Sequence, residues 1–225
     1  MSAPDGLPDA AEFTIREATP ADEQPIGEVA YQTGFFGESA ARYFPDQRLF
    51  ADLWVRPYFA GAGRVAFVAE RRGQVEGYIL GAPDQAVYTR AVLGVVFGVV
   101  LPGLLTGRYR RPWPALPYFV RGQLLSSPHG DWNVFPAHLH LNLLAEARGF
   151  GLSRPLLERY LERLNALGVR GVQLSTTLEN QVALKVYAKQ GFILIASRRS
   201  AFWKPWLGHG TVHLVLAKPL ASPER

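Results

Sequence analysis

The chain has 225 residues, 48% hydrophobic and 19% charged, which suits a folded domain with a sizeable core and excludes a disordered chain. Cysteine is absent, so disulfides, thiolate metal ligands and an acyl-cysteine intermediate are excluded, in keeping with a reducing, cytoplasmic setting. The net charge of +5 is uneven: residues 85–130 hold no Asp or Glu, yet Arg90, Arg108, Arg110, Arg111 and Arg121 all fall there. Such a patch can attract nucleic acid, acidic lipid or a phosphorylated coenzyme. The simplest reading is a solvated basic face. No nucleic-acid motif accompanies it, and no nucleic-acid partner is expected.

Residues 1–12 are polar and proline-containing, with no basic or apolar region of a secretory signal, and are expected to be a flexible N-terminus. Residues 13–220 are expected to form one domain, with 85–135 a variable basic and apolar insertion. Residues 13–18 alternate apolar and polar, as a half-buried strand does. Thr19-Pro20-Ala21-Asp22-Glu23 then reads as a helix start, with Thr19 as N-cap, and the helix runs to about Thr33. Gly34 and Gly37 open a loop. A second helix is expected over 46–59, with Leu49, Phe50, Leu53 and Trp54 on one face. Residues 65–70 and 75–80 read as a hairpin joined by Arg71-Arg72-Gly73-Gln74.

Residues 91–105 are apolar apart from glycines and Pro102. At 15 residues the run is short of the ~20 a membrane span needs. A buried or capping helix, and no span, is expected, with a membrane-dipping segment the alternative. Residues 107–117 read as irregular surface chain, with Arg108, Arg110 and Arg111 exposed and unimportant for stability.

From 138 to 144 the chain alternates as a strand. A glycine-rich turn follows, then a helix with Leu152, Leu156, Leu157, Tyr160, Leu161 and Leu164 on one stripe. Gly168 ends it. A strand over 169–174, a helix over 179–190 stopped by Gly191, and a hairpin of 192–197 with 211–216 complete the chain. This order of elements is α/β, with a mixed sheet.

The turn Arg148-Gly149-Phe150-Gly151-Leu152-Ser153 lies between strand and helix. A helix N-terminus offers unpaired N–H groups and a positive dipole end, and glycines let an anion approach. Pro155 sits in the first turn, where a missing N–H costs little. Together these describe a pyrophosphate cradle, although packing alone can also place glycines here. Neither GxxxxGK[ST] nor a GxGxxG after the first strand is present.

Leu141, Leu143, Arg148, Gly149 and Gly151, followed by an apolar helix, resemble motif A of the GNAT acetyltransferase superfamily. The run Asn180, Ala183, Tyr187, Gly191, Phe192 resembles its motif B. Further segments (Thr33-Gly34, Pro57-Tyr58, 67–70, 77–82 and 136–140) are similar to bacterial GNAT proteins related to the acetyltransferase-like domain of animal O-GlcNAcases. The resemblance implies a mixed, mostly antiparallel central sheet flanked by helices, with an insertion before the central strand. It also implies an acetyl-CoA-dependent N-acetyltransferase acting on a primary amine of a small molecule or peptide, monomeric or homodimeric.

Carried over by that resemblance, the N–H groups of Arg148, Gly149, Phe150, Gly151, Leu152 and Ser153 would hold the pyrophosphate of coenzyme A, with Arg154 beside them. A splayed strand through Leu141, Leu143 and Leu144 would bind the pantetheine arm and the thioester carbonyl, and Asn180 would also meet the pantetheine. Tyr187 would protonate the departing thiolate. Glu70, His138, His140 or a water chain are candidate bases. Two histidines make no zinc site, and no metal is expected. Phe35, Phe36, Asn142 and Trp203, with Trp132 and Trp206, would surround the acceptor. Ser153 replaces the last Gly/Ala of motif A. Asn142 stands where the narrower group carries Asp, and Phe35 and Ser39 where it carries acids. A coenzyme-binding protein with little or no transferase activity is the alternative.

Overall fold

The computed structural model describes residues 12–125 and 127–220. The N-terminal flexibility expected for residues 1–12 therefore falls, but for Glu12, outside the described residues. The elements in chain order are β1 (Phe13–Glu17), α1 (Glu23–Thr33), α2 (Gln47–Trp54), α3 (Arg56–Phe59), β2 (Val65–Arg71), β3 (Gln74–Ala82) and α4 (Gln85–Val95). A π turn (Val96–Val100) joins α4 to α5 (Leu101–Leu105), followed by α6 (Leu116–Leu125), β4 (Ala137–Leu143) and α7 (Ser153–Ala166). β5 (Gly171–Thr177), α8 (Gln181–Lys189), β6 (Ile193–Ser200), α9 (Lys204–Leu207) and β7 (Thr211–Pro219) complete the chain.

The sheet has seven strands in the order β1-β2-β3-β4-β5-β7-β6. Every pair is antiparallel except β4 with β5. This is the mixed, mostly antiparallel α/β sheet of a GNAT fold. Arg72 and Gly73 both take positive φ (52° and 80°), which matches the twist of the two-residue turn between β2 and β3. One face of the sheet is covered by α1, α2 and α3 with Ile26, Phe44, Phe50 and Tyr58. The other is covered by α7 with Leu156, Leu157, Tyr160 and Leu164.

β4 pairs with β3 from His138 to Leu143 but with β5 only at Ala137–Val172 and His138–Gln173. Beyond His138 the two strands splay, and the edge of β4 facing β5 stays open.

Two expected elements differ, and one helix was not expected. The second helix breaks at Val55, whose φ of −115° ends α2 before Pro57 enters the first turn of α3. The apolar helix starts six residues earlier than read, because Asp84 caps it by accepting from the Val87 N–H (2.8 Å). Residues 85–105 thus form one continuous 21-residue helix, long and apolar enough to cross a membrane by length and composition. Only 22% of its most apolar 18-residue window is buried, so of the two identities expected, buried or capping, the helix is not the buried one: it lies over α2 and α3 along one side. Lastly, α6 was unforeseen. Pro117 is tolerated there because it lies in the first turn.

The segment between α5 and α6 is anchored. Asp52, 3% exposed, takes an ion pair from Arg56 (2.6 Å), another from Arg108 (3.2 Å) and the Tyr109 hydroxyl (2.9 Å). Asp46 accepts the N–H groups of Leu49 and Arg111, both at 2.9 Å. The arginines 108, 110 and 111 are exposed as expected, but Arg108 is not idle.

Candidate active site

The turn before α7 is open. Gly149 and Gly151 have φ of 88° and 73°, and a Cβ at either would meet nothing within 4 Å. The N–H groups of Gly149, Phe150, Gly151, Leu152 and Ser153 have no acceptor among the described residues. Five consecutive unpaired donors at the N-terminus of a 14-residue helix form an anion cradle with room above it. The N–H of Arg148 is not part of it, because the Ala145 carbonyl takes it at 3.2 Å. The Arg148 side chain is structural too: it donates to the carbonyls of Leu143 (3.1 Å) and Gly37 (2.6 Å). It ties the turn to the end of β4 and to the loop after α1. Arg154 is exposed and paired with Glu158 (2.7 Å). Leu152 is buried in the α7 core, and Phe150 packs on Phe13.

Next to the turn lies a cavity of about 410 Å³, bounded by α1 and its loop, β3, β4, β5, α6 and the β6–β7 connection. Alternation along β4 sends Leu139, Leu141 and Leu143 into the α7 core, while His140 and Asn142 line the cavity. Leu144 packs with the α1–α3 core. The Asn142 amide donates to the Tyr78 hydroxyl (2.9 Å). Phe36 and Trp203 line the cavity, with Tyr43, Trp54, Tyr78 and Tyr118. Among the described residues, no Asp, Glu, Lys or Arg lines it. A larger depression, about 600 Å³, lies apart from the cradle between α3 and α4.

Several expected site residues lie elsewhere. A bulge at Ala69/Glu70 turns Glu70 toward Arg16, which holds it at 2.6 Å and also pairs with Asp22. Glu70 is therefore outside the cavity and committed to a structural network, and it is withdrawn as a base. Phe35 is 2% exposed and packs on Phe36, Tyr43 and Trp203 as core. Trp132 packs on His129 and His138, and Trp206 joins the aromatic cluster around Tyr43.

The histidines divide. His138 is buried, shares a 2.8 Å hydrogen bond with the Tyr58 hydroxyl, and leaves Nδ1 unpartnered among the described residues. Burial, with His140 nearby, pushes its pKa down to about 3. The His140 ring is open to the cavity, but the cavity walls surround it, and that enclosure lowers its pKa to about 4. Both are neutral at pH 7.

Asn180 caps α8 by accepting the Ala183 N–H (3.3 Å) while also lining the cavity. Tyr187 is buried against Phe192, and its hydroxyl bonds no described residue. Burial, then the neighbouring Tyr78, raises its pKa, so it keeps its proton at neutral pH.

Sequence reasoning missed Tyr78, Tyr118, Ser127, Thr177 and His213. Ser127 hydrogen-bonds His213 Nδ1, while His213 Nε2 and Thr177 Oγ1 are buried without partners among the described residues. The alternation of 211–216 held the signal for His213, but nothing local says which face borders a cavity. Among the described residues no three His, Cys, Asp or Glu side chains gather as a metal site would need.

The Acetyltransferase (GNAT) family model matches residues 120–192, which span the end of α6 through α8 and include the cradle. The crystal structure of a protein designated SsHAT is 25% identical, with a TM-score of 0.65, covering 96% of this chain and 100% of that one. A GNAT superfamily phosphinothricin acetyltransferase from Sinorhizobium meliloti, solved in complex with AcCoA, is 19% identical (TM-score 0.58; 93% and 89% covered). The ribosomal-protein-S18-alanine N-acetyltransferase of Escherichia coli is 15% identical (TM-score 0.56; 95% and 97% covered). These likenesses show the GNAT fold.

Proposed function

We propose that this chain is an acetyl-CoA-dependent N-acetyltransferase whose acceptor is a primary amine on a small, partly apolar molecule or peptide. The observation that carries the reading is the row of five unpaired N–H groups beside an open strand edge and an aromatic cavity. The N–H groups of Gly149 to Ser153 fit a pyrophosphate, which supplies acceptors for donors that otherwise have none. The open edge of β4 beyond His138 offers backbone groups to an amide-containing arm and to a thioester carbonyl, where negative charge grows during attack. Acetyl-CoA would supply the activated acetyl group.

Tyr187, held protonated, is the proton donor to the leaving sulfur. Neutral His140 accepts a proton at its ring through water, which passes it onward because a base of such low pKa does not retain it. The uncharged, aromatic lining favours an ammonium carried on an apolar body, since ring faces attract cations. The absence of cysteine agrees with a cytoplasmic protein. The resemblance of segments 67–70, 77–82 and 136–140 supports a kinship with the bacterial relatives of O-GlcNAcase acetyltransferase-like domains.

The second reading is a coenzyme-binding protein without turnover, and a specific observation favours it: no carboxylate among the described residues lines the cavity. A screen of amines for thiol release from acetyl-CoA separates the two. Turnover with an amine establishes the first. Tight binding with no turnover across the screen establishes the second, and activity gained by Asn142→Asp would show what is missing.

A further inference from the structure

Helix 85–105 is held to the protein on one side only. Val95 and Val100 are buried, Gly103 packs on the Tyr109 ring, and the helix rests on α2 and α3. On the opposite side Leu93, Phe97, Leu101 and Leu105, spaced four apart, are 51%, 66%, 41% and 89% exposed. Gly94 and Gly98 beside them face open space, and Arg90 is exposed one turn earlier. After the exposed arginines 108, 110 and 111 come Trp113 (73% exposed) and then Leu116, Val120 and Leu124 on α6, all exposed.

Exposed apolar surface of this extent marks a binding face. Its charge chooses the occupant. A second copy docked face to face would bring like arginines together, with no acid from 85 to 130 to offset them. An anionic lipid surface accommodates both features: acyl chains meet the leucines and Phe97, and headgroups meet the guanidinium groups. The inner side of the helix is fixed on α2 and α3, so the helix lies in the plane of such a surface.

We propose that the outer face of helix 85–105, with the arginines of the following turn, seats this protein on an anionic bilayer, embedded in the interface without crossing it. The same region reaches the candidate active site, because Tyr118 on α6 lines the cavity while Leu116, Val120 and Leu124 of that helix face outward.

Co-sedimentation of the intact protein tests this, using vesicles of phosphatidylcholine alone and of phosphatidylcholine mixed with phosphatidylglycerol. Binding to the mixed vesicles should be about tenfold tighter or more, and should weaken with added salt. Phe97→Glu with Leu101→Glu should abolish sedimentation while the melting temperature holds, since both side chains are exposed. Arg110→Gln with Arg111→Gln should weaken binding by about fivefold per arginine. Equal sedimentation of wild type and Phe97→Glu/Leu101→Glu would overturn the proposal. So would failure of the wild type to bind, or a dimer in vesicle-free buffer that this double variant dissociates, which would assign the face to a second copy.

Discussion

The turn before α7 and the outer face of helix 85–105 are both unfinished surfaces, of opposite kinds. The turn leaves five N–H groups unpaired in open space. The helix leaves Leu93, Phe97, Leu101 and Leu105 against water. Unpaired donors are directional and short-ranged, so they select a small anion of defined shape. Exposed apolar area has no direction, so it selects another surface. One molecule thus carries a site with chemistry and a face without any, and each can be disturbed separately.

Gly151→Asp breaks the first of them most severely. At a φ of 73° Asp is one of the residues that tolerate the left-handed region, so the fold should survive. Its carboxylate would repel a pyrophosphate and occupy the free N–H groups itself. Affinity for acetyl-CoA should fall about a hundredfold, roughly 2.7 kcal/mol. Isothermal calorimetry measures it, and unchanged affinity would remove the cradle from the coenzyme site. Vesicle binding should be untouched.

Asp52→Ala strikes the second region from beneath. It leaves Arg56, Arg108 and Tyr109 without their shared acceptor. Loss of a fully buried pair costs ~3–5 kcal/mol, but the two arginines are about a third exposed, which reduces the expected loss to roughly 2 kcal/mol. The melting temperature should drop by about 4–8 °C, read by calorimetry or circular dichroism. A smaller shift than that of a surface control would mean the segment after α5 is not anchored through Asp52.

The cradle was legible in the sequence because its chemistry is local. Glycine spacing, a following apolar stripe and Pro155 lie within a few residues of one another. What was not legible depends on distant partners. Glu70 has the right side chain for a base, but Arg16, 54 positions away, claims it. Phe35 and Phe36 are neighbours of one type, and the positive φ of Phe36 helps send one to the core and the other to the cavity. The splay of β4 from β5 is an absence of pairing, which no residue pattern announces. Within 85–130 the composition showed basic and apolar character, but not that the apolar stripe faces outward. The Asp84 cap was the available signal for the true helix length.

Tyr187→Phe probes the chemistry of the polar site with a smaller effect. The ring and its packing on Phe192 remain, so stability and acetyl-CoA affinity should hold. Turnover with an identified amine should fall by about tenfold, below the ~10²–10⁴ range of general acid catalysis, because a thiol of pKa ≈ 8.5 already leaves readily. An unchanged kcat would make Tyr187 a packing residue.

The smallest expected effect on the fold comes from Arg110→Gln with Arg111→Gln, and it gives the sharpest contrast between the two regions. Both side chains are exposed, and neither takes part in an ion pair among the described residues. The contact that Arg111 itself makes to Asp46 comes from its backbone N–H and survives the substitution. Each change should therefore cost under ~0.5 kcal/mol, a shift of no more than about 2–4 °C for the pair. Acetyl-CoA affinity should be unchanged, since the cradle's donors are the backbone N–H groups of Gly149 to Ser153 and include neither arginine. Vesicle affinity alone should fall, by about fivefold for each charge removed. If instead the double variant melts well below that range, the arginines support the fold and the face is not a free surface. If coenzyme affinity falls with it, the basic patch contributes to the anion site after all, and the two regions are electrostatically one.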